Sequence, residues 1–189
     1  DALEFRLDLL SRHYGEPPLD LERTSDTLRL AAEKAGWGKR VLAANRGLGM
    51  GFHFDHGGFV SHVAEVEADG NRVRVDKVWS AADVGPILNL SGARNQVEGC
   101  VVDALSTAQL EITFANGAAE QGNFDDYELL RIGQAPEIEC HFIQSENSPT
   151  GLGEPPIAAA TPAITNAIYA ATGKRIRELP FSRAGIALL

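Results

Sequence analysis

The stretch Gly151-Leu152-Gly153-Glu154-Pro155-Pro156-Ile157 joins a glycine-rich loop to a helix that the pattern predicts to run as far as Thr172. Two prolines suit a first helical turn, where the missing N–H costs little. Gly173 follows as a typical terminator. The apolar residues recur at helical spacing and predict one buried face: Ile157, Ala160, Ile164, Ile168 and Ala171.

Strand patterns lie upstream of this helix. Extended structure is predicted from Arg46 onward, and Asp69-Gly70 supplies a hairpin turn before a strand that contains Val73, Val75 and Val78. Apolar residues alternate with polar ones over residues 137–142, which predicts a further strand with one buried face.

Three more helices are indicated. The first dozen residues carry leucines at helical spacing, and residues 14–18 are predicted to break that helix. A second helix is predicted over Leu21–Ala35, with Asp20 as its cap and Gly36 as its terminator. A third is predicted from Ser91 to Gln109, followed by a strand pair that turns at Asn116-Gly117. The fold class is therefore α+β, a mixed or antiparallel sheet packed against helices, with residues 1–189 as one compact unit.

Composition excludes several functions. The net charge of −9, without a Lys/Arg cluster, argues against a nucleic-acid surface. No apolar run reaches the length of a membrane span, and the N-terminus has neither an initiator Met nor an apolar signal core. The chain therefore reads as starting inside a larger polypeptide. Cys100 and Cys140 fit no metal or redox spacing and are interpreted as two buried thiols.

Glu154 is the leading candidate for a catalytic residue. A carboxylate at a helix N-terminus is stabilised as the anion by roughly 0.3–1 kcal/mol, which suits a general base at neutral pH. The same position is common for an ordinary capping acid, and local chemistry alone favours that role.

Two further groups of residues have side chains that could bind a ligand. Gln96 carries an amide that suits a heteroatom-rich ring, and Gly99, one turn later, leaves room for close approach; a plain polar position on a helix is the alternative. His53, Asp55 and His56 are residue types that bind metals, but in an extended segment His56 would face away from the other two. No metal site is therefore assigned.

The remaining motifs carry no chemistry of their own. Phe124 and Tyr127 are interpreted as anchors that pack a loop onto the core. The sequence has no nucleophile elbow, phosphate loop, dinucleotide fingerprint or zinc motif. If the chain is catalytic, a cofactor must therefore supply the difficult chemistry.

Six short motifs together resemble one family, and they occur in the family's order over nearly the whole chain. The chain resembles the C-terminal part of the molybdopterin-binding subunit of the xanthine dehydrogenase and aldehyde oxidase family of molybdenum hydroxylases, in the isoquinoline 1-oxidoreductase beta-subunit type. The motifs are residues 1–7, Asp83-Val84-Gly85 through Asn89, Gln96-Val97-Glu98-Gly99, residues 123–127, Gly151-Leu152-Gly153-Glu154-Pro155 and residues 171–175.

The resemblance implies a mechanism and a set of site residues. Glu154 matches the family glutamate that deprotonates the hydroxide ligand of molybdenum, and so it would be the general base. Gln96 matches the glutamine that binds the cofactor near the metal, while Gly99 and Gly153 would give the cofactor room. The substrate would be an aromatic N-heterocycle or an aldehyde. The cofactor would be molybdopterin with molybdenum, in its cytosine dinucleotide form, and the [2Fe-2S] clusters would lie on a small partner subunit.

The chain departs from the family pattern in its cofactor-binding segments. The family's Gly-Gln-Gly and serine-rich cofactor segments have no counterpart here. The chain would therefore hold only part of the cofactor cage and act with the remainder of the molybdopterin-binding subunit. The alternative is a non-catalytic assembly or binding module that retains the molybdenum hydroxylase fold.

Overall fold

The computed structural model describes residues 1–12 and 19–189. It contains four α-helices: α1 (Ala2–Ser11), α2 (Leu21–Ala35), α3 (Leu90–Thr107) and α4 (Pro155–Thr172). It also contains seven strands and one 3₁₀ turn (Ile132–Gln134). The strands are β1 (Arg46–Asp55), β2 (Gly58–Asp69), β3 (Arg72–Asp83), β4 (Phe114–Ala115), β5 (Ala118–Ala119), β6 (Glu137–Phe142) and β7 (Ala187–Leu188).

The main sheet is mixed, which confirms the predicted α+β class. Its strand order is β1-β2-β3-β6, with β7 also paired to β3. The pairs β1–β2 and β2–β3 are antiparallel, whereas β6 and β7 run parallel to β3. Strands β4 and β5, each of two residues, form a separate β-hairpin. Its turn falls at Asn116-Gly117 as predicted, with positive φ at both residues.

Helices cover both faces of the main sheet. α3 and α4 pack on one face around a core that includes Val78, Val101 and Ile164. α2 packs on the other face, where Leu28 meets Met50. Both faces of the central strand β2 are therefore buried over most of its length.

Glycines in β1 let α4 approach the sheet at backbone distance. A Cβ added at Gly47, Gly49 or Gly51 would fall well inside van der Waals contact with α4 backbone atoms. The helix meets these glycines with Ala159, Ala163 and Ala167, each fully buried. Small residues therefore face one another along the contact between β1 and α4, and the helix packs closely against the strand. This packing fixes the N-terminus of α4 over β2.

Most local predictions are confirmed and a few need correction. α2 has the predicted bounds, with Asp20 capping its amides and Gly36 ending it in the left-handed conformation. The third helix is displaced by one or two residues from the predicted Ser91–Gln109, since Asn89 caps it. The predicted break over residues 14–18 lies outside the described residues.

Two predictions about burial were wrong. The side chains of β6 do not alternate between a buried and an exposed face, because β6 is an edge strand and its apolar residues are only half-buried. Phe124 does not anchor its loop to the core: its side chain is 74% exposed, and Tyr127 is half-buried. Of the two cysteines, Cys100 is buried as expected and Cys140 is half-buried.

Candidate functional site

Glu154 occupies the N-cap position of α4, directly before Pro155 and Pro156. Its side chain makes no capping hydrogen bond; only its backbone carbonyl accepts a bond, from the amide of Ile157 at 2.9 Å. The side chain is 72% exposed. The helix therefore starts without using this carboxylate, since two prolines already fill positions where amides would need partners.

His56 is the polar partner of Glu154. Its imidazole Nε2 lies 3.1 Å from Oε2 of Glu154. His56 sits at the tip of the β1–β2 hairpin with φ of 49°, and Gly57 follows with φ of 76°. The turn is further fixed by the amide of His56, which donates to Oδ1 of Asp55 at 2.9 Å.

The expectation that His56 faces away from Asp55 is corrected by this turn. The strand ends at Asp55, and the left-handed conformation of His56 brings its Nε2 to 3.6 Å from Oδ2 of Asp55. His53 stays on the strand. Within residues 1–12 and 19–189, no group of three metal-ligating side chains is assembled.

Gln96 lies beside the loop that carries Glu154. Its amide atoms are 3.7–3.9 Å from the position that a Cβ on Gly153 would take. Gly99 lies one turn further along α3, and a Cβ there would meet nothing within 4 Å. Both residues are on the exposed side of α3. The structure thus brings together Gln96, Gly153 and Glu154, while Gly99 borders open space on the same helix.

A cavity of about 510 Å³ opens beside Glu154. His56 forms one wall, and the loop between Pro149 and Pro155 forms the rest. A second cavity of about 520 Å³ lies between α1 and α4 and is lined largely by apolar atoms of residues such as Phe5. We regard the first as the candidate site, because it alone of the two contains the exposed carboxylate and its imidazole partner.

Two buried groups hold the loop and the first turn of α4. His62 on β2 is fully buried, and its Nε2–H donates to the carbonyl oxygen of Pro156 at 2.9 Å. Burial lowers the pKa of His62 to about 4, so the ring is neutral at pH 7. The Cys100 thiol donates to the carbonyl oxygen of Gly153 at 2.9 Å. Burial, with smaller contributions from the charges of Asp103 and Glu154, raises the pKa of Cys100 to about 11.

Asp83 at the end of β3 fixes the start of the same loop. It is almost fully buried and accepts hydrogen bonds from Nε and Nη2 of Arg23 at 2.7 and 3.0 Å, and from Oγ of Ser145 at 2.7 Å. Burial opposes ionisation of Asp83, but these bonds outweigh it, and the pKa of Asp83 lies below its usual value. Two residues on, Gly85 packs directly against the backbone of residues 147–149.

Sequence reasoning missed three of these residues. His62 has no partner nearby in sequence, although a lone histidine inside the apolar run of β2 is itself a signal of a buried polar contact. Cys100 had no assigned role. The sequence around His56 suggests only a metal ligand, because its contact with Glu154 spans 98 positions of the chain.

The fold is shared with solved oxidoreductases. Quinoline 2-oxidoreductase from Pseudomonas putida 86 superposes with a TM-score of 0.59 at 21% sequence identity, over 65% of this chain and 17% of that chain. At this identity the likeness concerns the fold alone. This fold is therefore one that occurs within solved oxidoreductases.

Sequence comparison identifies the domain family of the chain. Residues 21–136 match the molybdopterin cofactor-binding domain family. The chain therefore belongs to this family, a component of molybdenum hydroxylase oxidoreductases, which confirms the resemblance found in the sequence. Glu154 lies beyond the matched range but within the alignments to the relatives that follow.

Two relatives align over almost the entire chain. The beta subunit of isoquinoline 1-oxidoreductase from Brevundimonas diminuta is 30% identical, over 97% of this chain and 25% of that protein. A membrane-bound aldehyde dehydrogenase [pyrroloquinoline-quinone] from Gluconacetobacter polyoxogenes is 33% identical, over 98% of this chain and 26% of that protein. The chain thus spans about a quarter of the length of these relatives.

Among the residues that the structure describes, no helix combines the length and apolarity that a membrane crossing requires.

Proposed function

We propose that this domain works in an oxidoreductase that hydroxylates an aromatic N-heterocycle or oxidises an aldehyde, with Glu154 as the general base. The observation that carries the proposal is the position of the Glu154 carboxylate and its lack of a capping bond. It stands at the start of a fixed helix, makes no capping bond and faces a cavity large enough for a small ligand. A base must be held in place and yet be free to take a proton, and this arrangement meets both conditions.

Three residues near the loop that carries Glu154 would fit one side of a molybdopterin group. Gln96 has an exposed amide that can both donate and accept hydrogen bonds. Gly153 presents bare backbone next to this amide, and Gly99 leaves open space one turn away. These three residues would hold the cofactor, in our proposal the cytosine dinucleotide form, while Glu154 faces the reacting atoms. When bound, the molybdenum centre would supply an oxygen nucleophile and a two-electron acceptor.

The chain's own contribution is to orient groups and to move a proton. Glu154 accepts the proton of the nucleophile at a carboxylate oxygen. The bonds from His62 to α4 and from Cys100 to the loop hold the backbone on both sides of Glu154, since each fixes a carbonyl within two residues of it. A misplacement of about 1 Å can cost on the order of a hundredfold in rate, so this support matters to catalysis.

The remainder of the site is proposed to come from outside these residues. The names of the relatives, an isoquinoline oxidoreductase and an aldehyde dehydrogenase, support the two substrate classes. Large apolar side chains such as Leu88 and Ile132 are almost completely exposed, which supports their burial by other parts of an assembly. We propose that these parts are the rest of the molybdopterin-binding subunit and a small subunit with [2Fe-2S] clusters.

Replacement of Glu154 by Gln in the assembled enzyme tests the proposal. Turnover should fall by about 10²–10⁴, the usual contribution of a general base, while the molybdenum content stays unchanged. Glu146→Gln removes an exposed acid from the same loop and should leave turnover unchanged. Substantial turnover in Glu154→Gln would instead favour the non-catalytic module. Metal analysis of the 189-residue chain should give less than one molybdenum per chain, because part of the cage lies elsewhere.

A further inference from the structure

The tip of the β1–β2 hairpin packs against the loop that carries Glu154. A Cβ at Gly57 would lie 3.0 Å from Cγ2 of Thr150, and one at Gly151 would lie 3.9 Å from Cβ of His56. The hairpin tip and the loop therefore touch at more than one point. The 3.1 Å approach of the His56 ring to Glu154 is part of this packing.

The backbone at His56 is not the one that histidine ordinarily prefers. In two-residue hairpins with positive φ at both central positions, Asn and Gly are the usual residues. His56 adopts φ of 49° in such a turn, before Gly57. Positive φ is uncommon for residues other than Gly, although Asn, Asp and His adopt it more often than the rest, and such residues often lie at functional sites. This residue also places its imidazole directly against the exposed carboxylate.

We propose that His56 is a positioning residue for Glu154: it receives the proton that Glu154 has taken up, and its Nε2–H then holds the restored carboxylate. The proposal rests on the assignment of Glu154 as the base. With Nδ1 protonated and Nε2 free, the neutral ring accepts the proton from Oε2 of Glu154. The carboxylate is restored and an imidazolium forms. The imidazolium then loses its Nδ1 proton to water and keeps Nε2–H as a donor to the restored carboxylate. Proton exchange with water at the exposed ring returns the Nδ1–H form before the next transfer, so that the net change is one proton from Glu154 to solvent.

The Nε2 atom of His56 lies close to two carboxylates and to solvent. Two carboxylates face Nε2: Oε2 of Glu154 at 3.1 Å and Oδ2 of Asp55 at 3.6 Å. The ring is 59% exposed, so water reaches it directly. An imidazole changes its charge near neutral pH more readily than any other side chain. His56 therefore provides a path that returns Glu154 to its basic form for the next turnover.

The proposal is tested by removal of the imidazole without disturbance of the turn. His56→Asn keeps a residue that tolerates positive φ, and His53→Asn makes the same change three positions earlier on the hairpin. In the molybdenum-loaded enzyme, His56→Asn should lower kcat about tenfold with KM unchanged, a smaller effect than loss of the base itself. His53→Asn should leave both constants unchanged. His56→Gly should regain turnover when free imidazole is added, at concentrations that do not affect the wild type.

A second readout needs no cofactor. In nuclear magnetic resonance spectra of the 189-residue chain, the ring nitrogen and proton signals of His56 should shift on Glu154→Gln and stay in place on Glu146→Gln. Unchanged signals in Glu154→Gln would contradict the contact, and unchanged kcat in both His56 variants would contradict the role. If Glu154→Gln itself retained turnover, the proposed function would fail instead, independently of the behaviour of His56.

Discussion

The ring of His62 and the carbonyl of Pro156 are joined by a hydrogen bond of 2.9 Å, although 94 positions separate the two residues in sequence. The bond ties the central strand β2 to the first turn of α4. His62 has no exposed surface, and its Nδ1 has no hydrogen-bond partner in the described residues. A charged imidazolium is therefore strongly disfavoured at this position.

The first prediction follows from the pKa of His62, which burial lowers from 6.5 to about 4. Between these values the unfolded chain binds a proton at His62 and the folded chain does not, so stability falls as the pH falls. The loss between about pH 8 and about pH 5 should be roughly 2 kcal/mol from this group. Urea unfolding at the two pH values measures it.

Two variants isolate the contribution of His62 to this pH dependence. His62→Gln keeps an amide that can donate to Pro156 but does not titrate, so its free energy of unfolding should change less between the two pH values than that of the wild type. His53→Gln should change as much as the wild type. Equal pH dependence in wild type and His62→Gln would contradict the lowered pKa.

The second prediction concerns the contact between β1 and α4. Gly49→Ala should lower the free energy of unfolding by about 3 kcal/mol, because the new methyl group would overlap backbone atoms of Ala163 and Ala167. Gly133→Ala is the matched control, since a Cβ there meets nothing within 4 Å. It should change stability by less than about 0.5 kcal/mol. Thermal or urea unfolding compares the two, and equal effects would exclude the close packing.

The third prediction concerns the two thiols. Burial raises the pKa of both Cys100 and Cys140 to about 11, with neighbouring charges as smaller causes. Their thiolate fraction at neutral pH should be roughly a hundredfold below that of a free cysteine. A thiol reagent such as DTNB should therefore label the folded chain slowly and the urea-unfolded chain fast. Cys100→Ala assigns the remaining signal to Cys140, and rapid labelling of either folded thiol would contradict the prediction.

The sequence predicts this fold well where the determining interactions are local. Asp20 and Gly36 delimit α2 because a cap and a left-handed terminator act within one helical turn. The parallel pairing of β6 with β3 has no such local signal, since some sixty positions lie between the partners. Alternation shows that a strand exists but does not identify its neighbour or show that it lies at an edge. The half-burial of β6 was missed for this reason.

The same distinction applies to the candidate site. The position of Glu154 at the start of α4 follows from the adjacent prolines, so it was predictable. Its contact with His56 and the support from His62 depend on how the sheet brings distant segments together. Phe124 illustrates the limit of local patterns, because an aromatic residue in a polar loop looks the same whether it packs onto its own core or remains exposed.

The last prediction concerns the buried ion pair that anchors the loop. Arg23 is mostly buried and Asp83 almost completely so, and two guanidinium nitrogens bind the carboxylate. Arg23→Met should lower the free energy of unfolding by about 3–5 kcal/mol, because it leaves the Asp83 charge buried with only Ser145 and a backbone amide as partners. Arg12→Met, which removes an exposed pair with Asp8, should cost less than about 1 kcal/mol.

A double variant separates loss of the pair from loss of packing. Adding Asp83→Asn to Arg23→Met removes the uncompensated charge, so the double variant should be more stable than Arg23→Met alone. Urea unfolding of the wild type, both single variants and the double variant gives the coupling energy directly. If the two single losses simply add, the charges at Arg23 and Asp83 are not coupled, and the loop before Glu154 must be anchored by the Ser145 contact and the packing of Gly85 instead.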